Sequence, residues 1–418
     1  MNREQDHLTT TSTFAQLGVA EDLAEILERQ GITSPFPIQA LAIPDALKGR
    51  DICGRAKTGS GKTLAFGLPI VDRLHKAPPR RPIALVLVPT RELCVQVSEA
   101  LAPLCETRGF SLLSIYGGVS MKHQIDTLAQ GVEVVVATPG RLLDLADRKV
   151  LFIDDVEMVV IDEADQMADM GFLPQVRFAM RQIKRKHQTF LFSATLDGPV
   201  GNLISSYTDD PVFHEVSSDT VTVETSEHRF LEVHHMDKAK VAARIAETAD
   251  RMLVFVRTKR ACDQIARDLR ALGVQARPIH GDLPQPKRER TLAEFASGKS
   301  PVLVATNVAA RGLHIDGVDI VLHYDPPEDS RTYVHRSGRT ARAGEEGLVV
   351  TMIEWDQMAA MQRIQQEAGL VKPIVKMFSN DDRLDDLAAW DQPDGEGDEK
   401  PAAPVRRSGR RRRKQRLL

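Results

Sequence analysis

Residues 56–63 read AKTGSGKT, and residues 158–165 read MVVIDEAD. The first run is suited to cradling phosphate. Gly59 and Gly61 permit a tight turn whose bare N–H groups can face phosphate oxygens. Lys62 adds a positive charge for the β- and γ-phosphates, and the Thr63 hydroxyl can ligate Mg²⁺. Ala56, Lys57, Thr58 and Ser60 complete the loop, with Ala56 standing where the strict GxxxxGKT pattern has glycine. The second run is an apolar strand ending in carboxylates. Asp162 is placed to hold Mg²⁺ through water, and Glu163 to polarise an attacking water. Taken singly, one run reads as a glycine turn and the other as a solvated acidic loop. Together they predict an enzyme that binds a nucleoside triphosphate with a divalent metal and hydrolyses it.

Such groups need a rigid frame. TLAFGLPIVDRL (63–74) has helical apolar spacing, so the phosphates would sit at a helix N-terminus. Met158–Ile161 is a continuous apolar run of the kind buried in parallel sheets, whose C-terminal ends open into a ligand crevice. Strand-like runs recur near 52–55, 83–88, 112–115, 134–137, 158–161 and 190–192, and again near 252–256, 277–279, 302–305, 319–323 and 348–353. Helical patterns alternate with them, which predicts two α/β domains with parallel sheets covered on both faces. The expected organisation is a first domain over 1–215, a polar linker over 216–227, a second domain over 228–375, and a tail over 376–418. Only the first domain carries a phosphate loop.

The residues that follow the strands share a character. PTREL (89–93), TPGR (138–141), SAT (193–195), HGD (280–282) and TNVAARGLHI (306–315) place hydroxyls, arginines and glycines at predicted strand ends. Such groups can grip the phosphates and sugars of a nucleic-acid chain without reading its bases. In YVHRSGRTARAG (333–344), His335, Arg339 and Arg342 would share a face if the stretch is helical. They read either as a solvated basic face or as arginine fingers reaching from the second domain to a γ-phosphate held by the first. The absence of a second cradle favours the fingers.

Composition sets the bounds. The chain has 418 residues, 42% hydrophobic and 27% charged, as expected of a soluble globular protein. The polar N-terminus has no signal-peptide core, and no apolar run approaches membrane-spanning length. Cys53, Cys94, Cys105 and Cys262 form no CxxC pair, and no HExxH occurs, so reduced thiols in a cytoplasmic protein are expected rather than disulfides or zinc. Eight basic residues fall within 406–416, and setting them aside takes the formal net charge from −3 to −11. After about 376 an acidic, aperiodic stretch leads into that basic run, which predicts a disordered tail. The basic run would tether nucleic acid, act as a nuclear signal, or dock onto the acidic body, and the first reading is preferred.

These motifs, in this order, resemble the DEAD-box ATP-dependent RNA helicases over residues 14–350. The resemblance implies two tandem RecA-like domains followed by the disordered tail. Gln39, with Phe14 upstream, matches the adenine-reading element. Ala56–Thr63 match the nucleotide loop, with Lys62, Asp162, Glu163, Arg339 and Arg342 as catalytic residues. Pro89, Thr90, Arg91, Gly117, Gly118, Thr138, Pro139, Gly140 and Arg141 match first-domain RNA contacts. Arg257, Gln285, Arg288 and Thr306 match those of the second domain. Gly312 and His314 fall at ATP contacts, while Asp165, Ser193, Thr195 and His335 match positions that couple the two domains.

Three residues depart from the family pattern: Asn307 and His314 where Asp is usual, and Ala341 where Gly is common. His314 would loosen the ribose contact. The implied activity is RNA-stimulated ATP hydrolysis with Mg²⁺, coupled to cleft closure and to local unwinding of short duplexes or remodelling of RNA–protein complexes. The alternative is an ATP-gated RNA clamp or assembly platform with little unwinding. A DNA-translocating relative is disfavoured by the DEAD run and Gln39. The expected partner is RNA, single-stranded or in short duplexes and largely independent of sequence, with ribosomal or RNA-decay proteins as further partners and no membrane. With aromatic content at 5%, the chain is short of stacking platforms and is expected to grip the backbone.

Overall fold

The computed structural model describes residues 12–56, 60–216, 226–310, 318–340, 347–388 and 390. Its frame is two parallel sheets. The first contains β1 (Ile52–Arg55), β2 (Ala84–Leu87), β3 (Leu112–Ile115), β4 (Val134–Ala137), β5 (Met158–Ile161), β6 (Gln188–Ser193) and β7 (Val212–Glu215). The second contains β8 (Ser226–Glu232), β9 (Met252–Val256), β10 (Ala276–Ile279), β11 (Val302–Thr306), β12 (Ile320–His323), β13 (Gly347–Ile353) and β14 (Ile374–Lys376). The spatial orders are β3-β4-β2-β5-β6-β1-β7 and β10-β11-β9-β12-β13-β8-β14. Counted from its own first strand, each sheet has the same order, 3-4-2-5-6-1-7. The place of β1 in the first sheet is therefore taken by β8 in the second. The residues after β8 are Val233–Asp237 (VHHMD), where the first domain has its phosphate loop.

Strands β2, β4, β5 and β9 are apolar without interruption because both faces are covered. Along β2, Ala84 and Val86 join one buried cluster and Leu85 and Leu87 the other. Along β9, Met252, Val254 and Val256 face one side, and Leu253 and Phe255 the other. This is the two-residue period of a strand buried on both faces. The four cysteines are buried and unpaired. Burial pushes each thiol up to about 12, so none is poised to react.

Two expectations at domain ends are corrected. Ser226 and Glu227 begin β8 rather than ending a linker, while 217–225 lie outside the described residues. Residues 376–388 and Trp390 do not form a disordered tail. Lys376 closes β14, and Met377, Leu384 and Leu387 are buried in the core of the second domain. The Arg229 guanidinium fastens the segment by donating to the carbonyls of Leu387, Ala388 and Trp390 at 2.8, 3.1 and 3.0 Å. Three apolar anchors spread among acidic residues leave no periodicity to read, which is why the segment looked unstructured. The basic run at 406–416 lies outside the described residues.

Candidate nucleotide and nucleic-acid site

The nucleotide-directed residues gather where β5, β6 and β1 lie side by side. Leaving β1, the Ala56 N–H donates to the Ser193 carbonyl at 3.1 Å, which ties the start of the loop to β6. The loop re-enters a helix at Lys62–Arg73, with Gly61 as its N-cap in the left-handed region (φ 82°). A Cβ there would lie 2.5 Å from both Phe36 Cδ2 and Gln39 Nε2, so the position requires glycine.

Gln39 is engaged within the chain. Its Nε2 donates to the Gly61 carbonyl at 2.8 Å, and its Oε1 accepts from the Phe36 N–H at 2.8 Å. An amide expected to read adenine instead braces the phosphate loop in this conformation. Phe14 is buried in the core of the first domain, and the aromatic ring beside the loop is that of Phe36, 55% exposed.

Lys62 is buried between two carboxylates. Its Nζ donates to Glu163 Oε1 at 2.5 Å and lies 3.5 Å from Asp162 Oδ1. Burial disfavours the ammonium, but Glu163 and Asp162 outweigh it and hold Lys62 above its ordinary value. Burial likewise pushes the Asp162 carboxyl up to about 6, against the pull of Lys62. Asp162 Oδ1 accepts from the Glu163 N–H at 2.9 Å. Glu163 itself has φ 51° and ψ 48°, a left-handed backbone in a residue with a full side chain. Strain of this kind persists only where the surroundings impose it, and here it turns the chain sharply at the end of β5.

The second domain reaches this region through the helix Ser330–Ser337. Arg331 Nη2 donates to Asp165 Oδ2 at 2.8 Å and to Thr195 Oγ1 at 3.2 Å. The Ser193 hydroxyl accepts from the N–H groups of Asp165 and Thr195 at 3.2 and 3.3 Å. His335, one turn along the same helix, adds positive potential at Asp165. The helix ends at Ser337, capped by Gly338, so Arg339 does not continue a helical face with His335 as the spacing suggested. Arg339 is buried and lines a narrow cavity with His335, Arg336 and Phe255. Lys57, Thr58, Gly59, Gly312, His314, Ala341 and Arg342 lie outside the described residues.

The residues expected to grip a nucleic-acid chain follow β2, β3 and β4, the other half of the first sheet. Thr90 caps the helix Arg91–Thr107 by accepting from the Leu93 N–H at 3.2 Å, with Pro89 buried before it. Arg91 and Arg141 converge over the Gly117–Gly118 turn. A Cβ on Gly118 (φ 91°) would meet Arg91 Nη1 at 2.5 Å, and one on Gly117 would lie 3.9 Å from Arg141 Nη2. Gln124 Oε1 holds Arg141 by accepting from its Nη1 at 3.0 Å. Thr138 and Pro139 open the next helix, and Gly140 is exposed.

The second-domain set follows β9 (Arg257) and β10 (Gln285, Arg288) and closes β11 (Thr306), the same three places in the repeated order. Arg257 is exposed there, but Gln285 and Arg288 are buried. Arg288 Nη2 lies 2.8 Å from Glu92 Oε1 of the first domain, a charge contact without hydrogen-bond alignment. Arg288 thus meets the first domain, while the Gln285 Nε2 donates within its own helix to Glu289 Oε1 at 3.1 Å. The motif reading missed Glu92, Phe36, Arg331 and the strained backbone of Glu163. Of these only Arg331 left a trace in the sequence, a cation in the first turn of a helix, where the dipole disfavours it.

Residues 36–203 match the family model described as DEAD/DEAH box helicase, and residues 237–344 match that described as Helicase conserved C-terminal domain. An ATP-dependent RNA helicase of Listeria monocytogenes, CshA, is 39% identical over 355 residues, covering 84% of this chain and 68% of that protein.

This chain is a member of the DEAD-box ATP-dependent RNA helicases.

The CshA helicase of Bacillus subtilis is likewise 39% identical, over 358 residues that span 85% of this chain and 72% of the relative. Among solved structures, Saccharomyces cerevisiae Dbp5 bound to RNA and ADP BeF3 is 28% identical, with a TM-score of 0.76 over 89% of this chain and 97% of that one. The two RecA-like domains of the helicase account for the repeated strand order. As a helicase of this family it is an ATP-hydrolysing enzyme. Among the described residues no helix is long and apolar enough to cross a membrane.

Proposed function

We propose that this helicase hydrolyses ATP at the ends of β5, β6 and β1 when RNA lies across the ends of strands 3, 4 and 2 of both sheets. Closure of the cleft would separate short duplexes locally. What supports this reading above all is that the carboxylate-bearing end of β5 meets the helix Ser330–Ser337 of the opposite domain through Asp165 and Arg331. Nucleotide chemistry and domain contact then share one strand end.

In this reading Lys62 exchanges its carboxylate partners for the β- and γ-phosphates as the nucleotide enters. Gln39 exchanges the Gly61 carbonyl for the adenine edge, its donor and acceptor suiting that edge. Glu163, freed from Lys62, orients the attacking water, and Arg339 and Arg342 offer guanidinium groups to the transferring phosphoryl. The donor set fits Mg²⁺, which takes hard oxygens from few protein groups, here Asp162 and the Thr63 hydroxyl, and the rest from phosphate and water. The burial that raises the Asp162 carboxyl suits a site completed by a cation. Bound there, Mg²⁺ would neutralise charge on the phosphate oxygens.

RNA is the proposed partner, held by Arg91, Arg141, Arg257 and the hydroxyl and backbone donors beside them. These groups address phosphate and sugar, so binding would be largely independent of sequence and would weaken with salt.

The test is strand displacement on a short RNA duplex, with ATP turnover measured with and without RNA. RNA-stimulated turnover with ATP-dependent displacement is expected, and both should vanish in Lys62→Ala. Turnover and RNA retention without displacement would point to a clamp instead. Turnover indifferent to RNA would overturn the proposal.

A further inference from the structure

Resting on that reading, we propose that Arg331 is a positioning residue for the reaction, joining the second domain to both Asp165 and Thr195 and so favouring the closed, RNA-responsive form. Arg331 occupies the first turn of the helix Ser330–Ser337, where the positive end of the helix dipole disfavours a cation. Nothing in the helix itself calls for it. Asp329 already caps the helix by accepting from the Thr332 N–H at 2.6 Å. The cation is accounted for by what it meets across the junction.

Three groups of the first domain receive it. Nη2 bridges Asp165 Oδ2 at 2.8 Å and Thr195 Oγ1 at 3.2 Å, and Nη1 lies 3.7 Å from Asp169 Oδ1. Asp165 is 2% exposed at its side chain and Arg331 is 38% exposed, so the junction desolvates the carboxylate while the guanidinium keeps some water. Among the described residues Asp165 Oδ1 has no hydrogen-bond partner, leaving Oδ2 as the anchored oxygen. Burial alone would raise the Asp165 carboxyl. Arg331, with His335 and Lys62, holds it below its ordinary value instead.

A planar fork can reach two acceptors with one nitrogen while a second nitrogen faces a further carboxylate, which an ammonium cannot reproduce in the same geometry. The Ser193 hydroxyl links the backbones of Asp165 and Thr195. Arg331 closes that ring from the other domain. It therefore senses the ends of β5 and β6 together. Parting the domains would leave Asp165 without this donor, so the contact favours closure.

The test uses the full chain as wild type, Arg331→Ala and Arg331→Lys. Three quantities are measured: closure, by energy transfer between dyes on the two domains with RNA and a non-hydrolysable ATP analogue; the RNA concentration giving half-maximal ATP turnover; and affinity for a fluorescent nucleotide without RNA. In Arg331→Ala the half-saturating RNA concentration should rise about tenfold, as expected for a charge pair truncated at a partly solvated junction. Closure should fall with it, while nucleotide affinity stays within about twofold because Lys62 and the loop are untouched. Arg331→Lys should fall between the two.

Wild-type closure and RNA dependence in Arg331→Ala would overturn the inference. So would a Lys variant no better than Ala, because the charge opposite Asp165 would then count for nothing. Loss of nucleotide affinity equal to the loss of RNA response would assign Arg331 a merely structural part. Wild-type turnover indifferent to RNA would instead sink the underlying reading, whatever the variants do.

Discussion

Lys62 and Glu163 are locked together, Nζ to Oε1 at 2.5 Å, at a place where each is needed for a different task. In the proposed function the lysine addresses phosphate and the glutamate a water. Their pairing stores both in a buried pocket without leaving an isolated charge there, which would be far more costly. In the proposed function, entry of a triphosphate would separate them, so the group that binds the substrate would also release the group that acts on it.

Glu163→Gln should therefore keep nucleotide affinity, since Lys62 retains an oxygen partner and the strained backbone still carries a side chain of the same length. Its ATP turnover with RNA should fall by about 10²-fold or more, the usual scale for losing a group that handles a proton. Steady-state kinetics beside a fluorescent-nucleotide titration will check this, and normal turnover would remove Glu163 from its assigned role.

Gly61→Ala probes the cradle from the other side. The new Cβ would meet Phe36 and Gln39 at 2.5 Å in a backbone region that favours glycine. The conformation alone costs about 1 kcal/mol, and the clash dislodges the amide that braces the loop. Nucleotide affinity should drop at least tenfold while the unfolding midpoint of the second domain stays put. Unaltered affinity would show that the loop does not bind as described.

The segment after β14 belongs to the folded body. A chain ending at Lys376 loses the buried Leu384 and Leu387 and leaves Arg229 facing an empty seat. Each buried leucine is worth about 2–5 kcal/mol, so the second domain should be severely destabilised or fail to fold. A chain ending at Trp390 should unfold like the full-length protein. Urea titration of both truncations decides the matter; equal stability would mean the segment is only draped on the surface.

His323 makes the second domain sensitive to acid. It is fully buried on β12, edge-on to Tyr333 at 5.1 Å and to Phe255 at 6.0 Å, with Nδ1 3.1 Å from Thr351 Oγ1. Burial, reinforced by Arg336 and His228, holds it well below its ordinary value, so the folded protein keeps it neutral. As pH falls through the ordinary histidine range, the unfolded chain gains a proton that the folded one refuses. The stability is present above that range and lost below it, by up to about 1.4 kcal/mol per pH unit. His323→Gln should lose about 1 kcal/mol less than wild type between pH 7.5 and pH 5.5 in urea unfolding. Parallel losses would show that the ring does not titrate differently in the two states.

Local features were legible in the order of residues. Continuous apolar runs dictated the central strands, and AKTGSGKT and DEAD dictated where phosphate chemistry sits, because loop geometry and strand-end carboxylates are set within a few residues. Short edge strands such as β7 and β14 stayed hidden, since Val212–Glu215 and Ile374–Lys376 are half-exposed and lack a buried run. Tertiary structure alone decided which residues meet across the junction. Spacing along YVHRSGR suggested one helical face from His335 through Arg339, but the helix ends at Ser337, and Arg331 from its first turn is the side chain that bonds to Asp165. Gln285 and Arg288, read as open RNA contacts, are both buried, and Arg288 has Glu92 of the other domain as its partner. These pairings join residues far apart in the chain. Their geometry depends on how two separately folded sheets are set against each other, which no local pattern encodes.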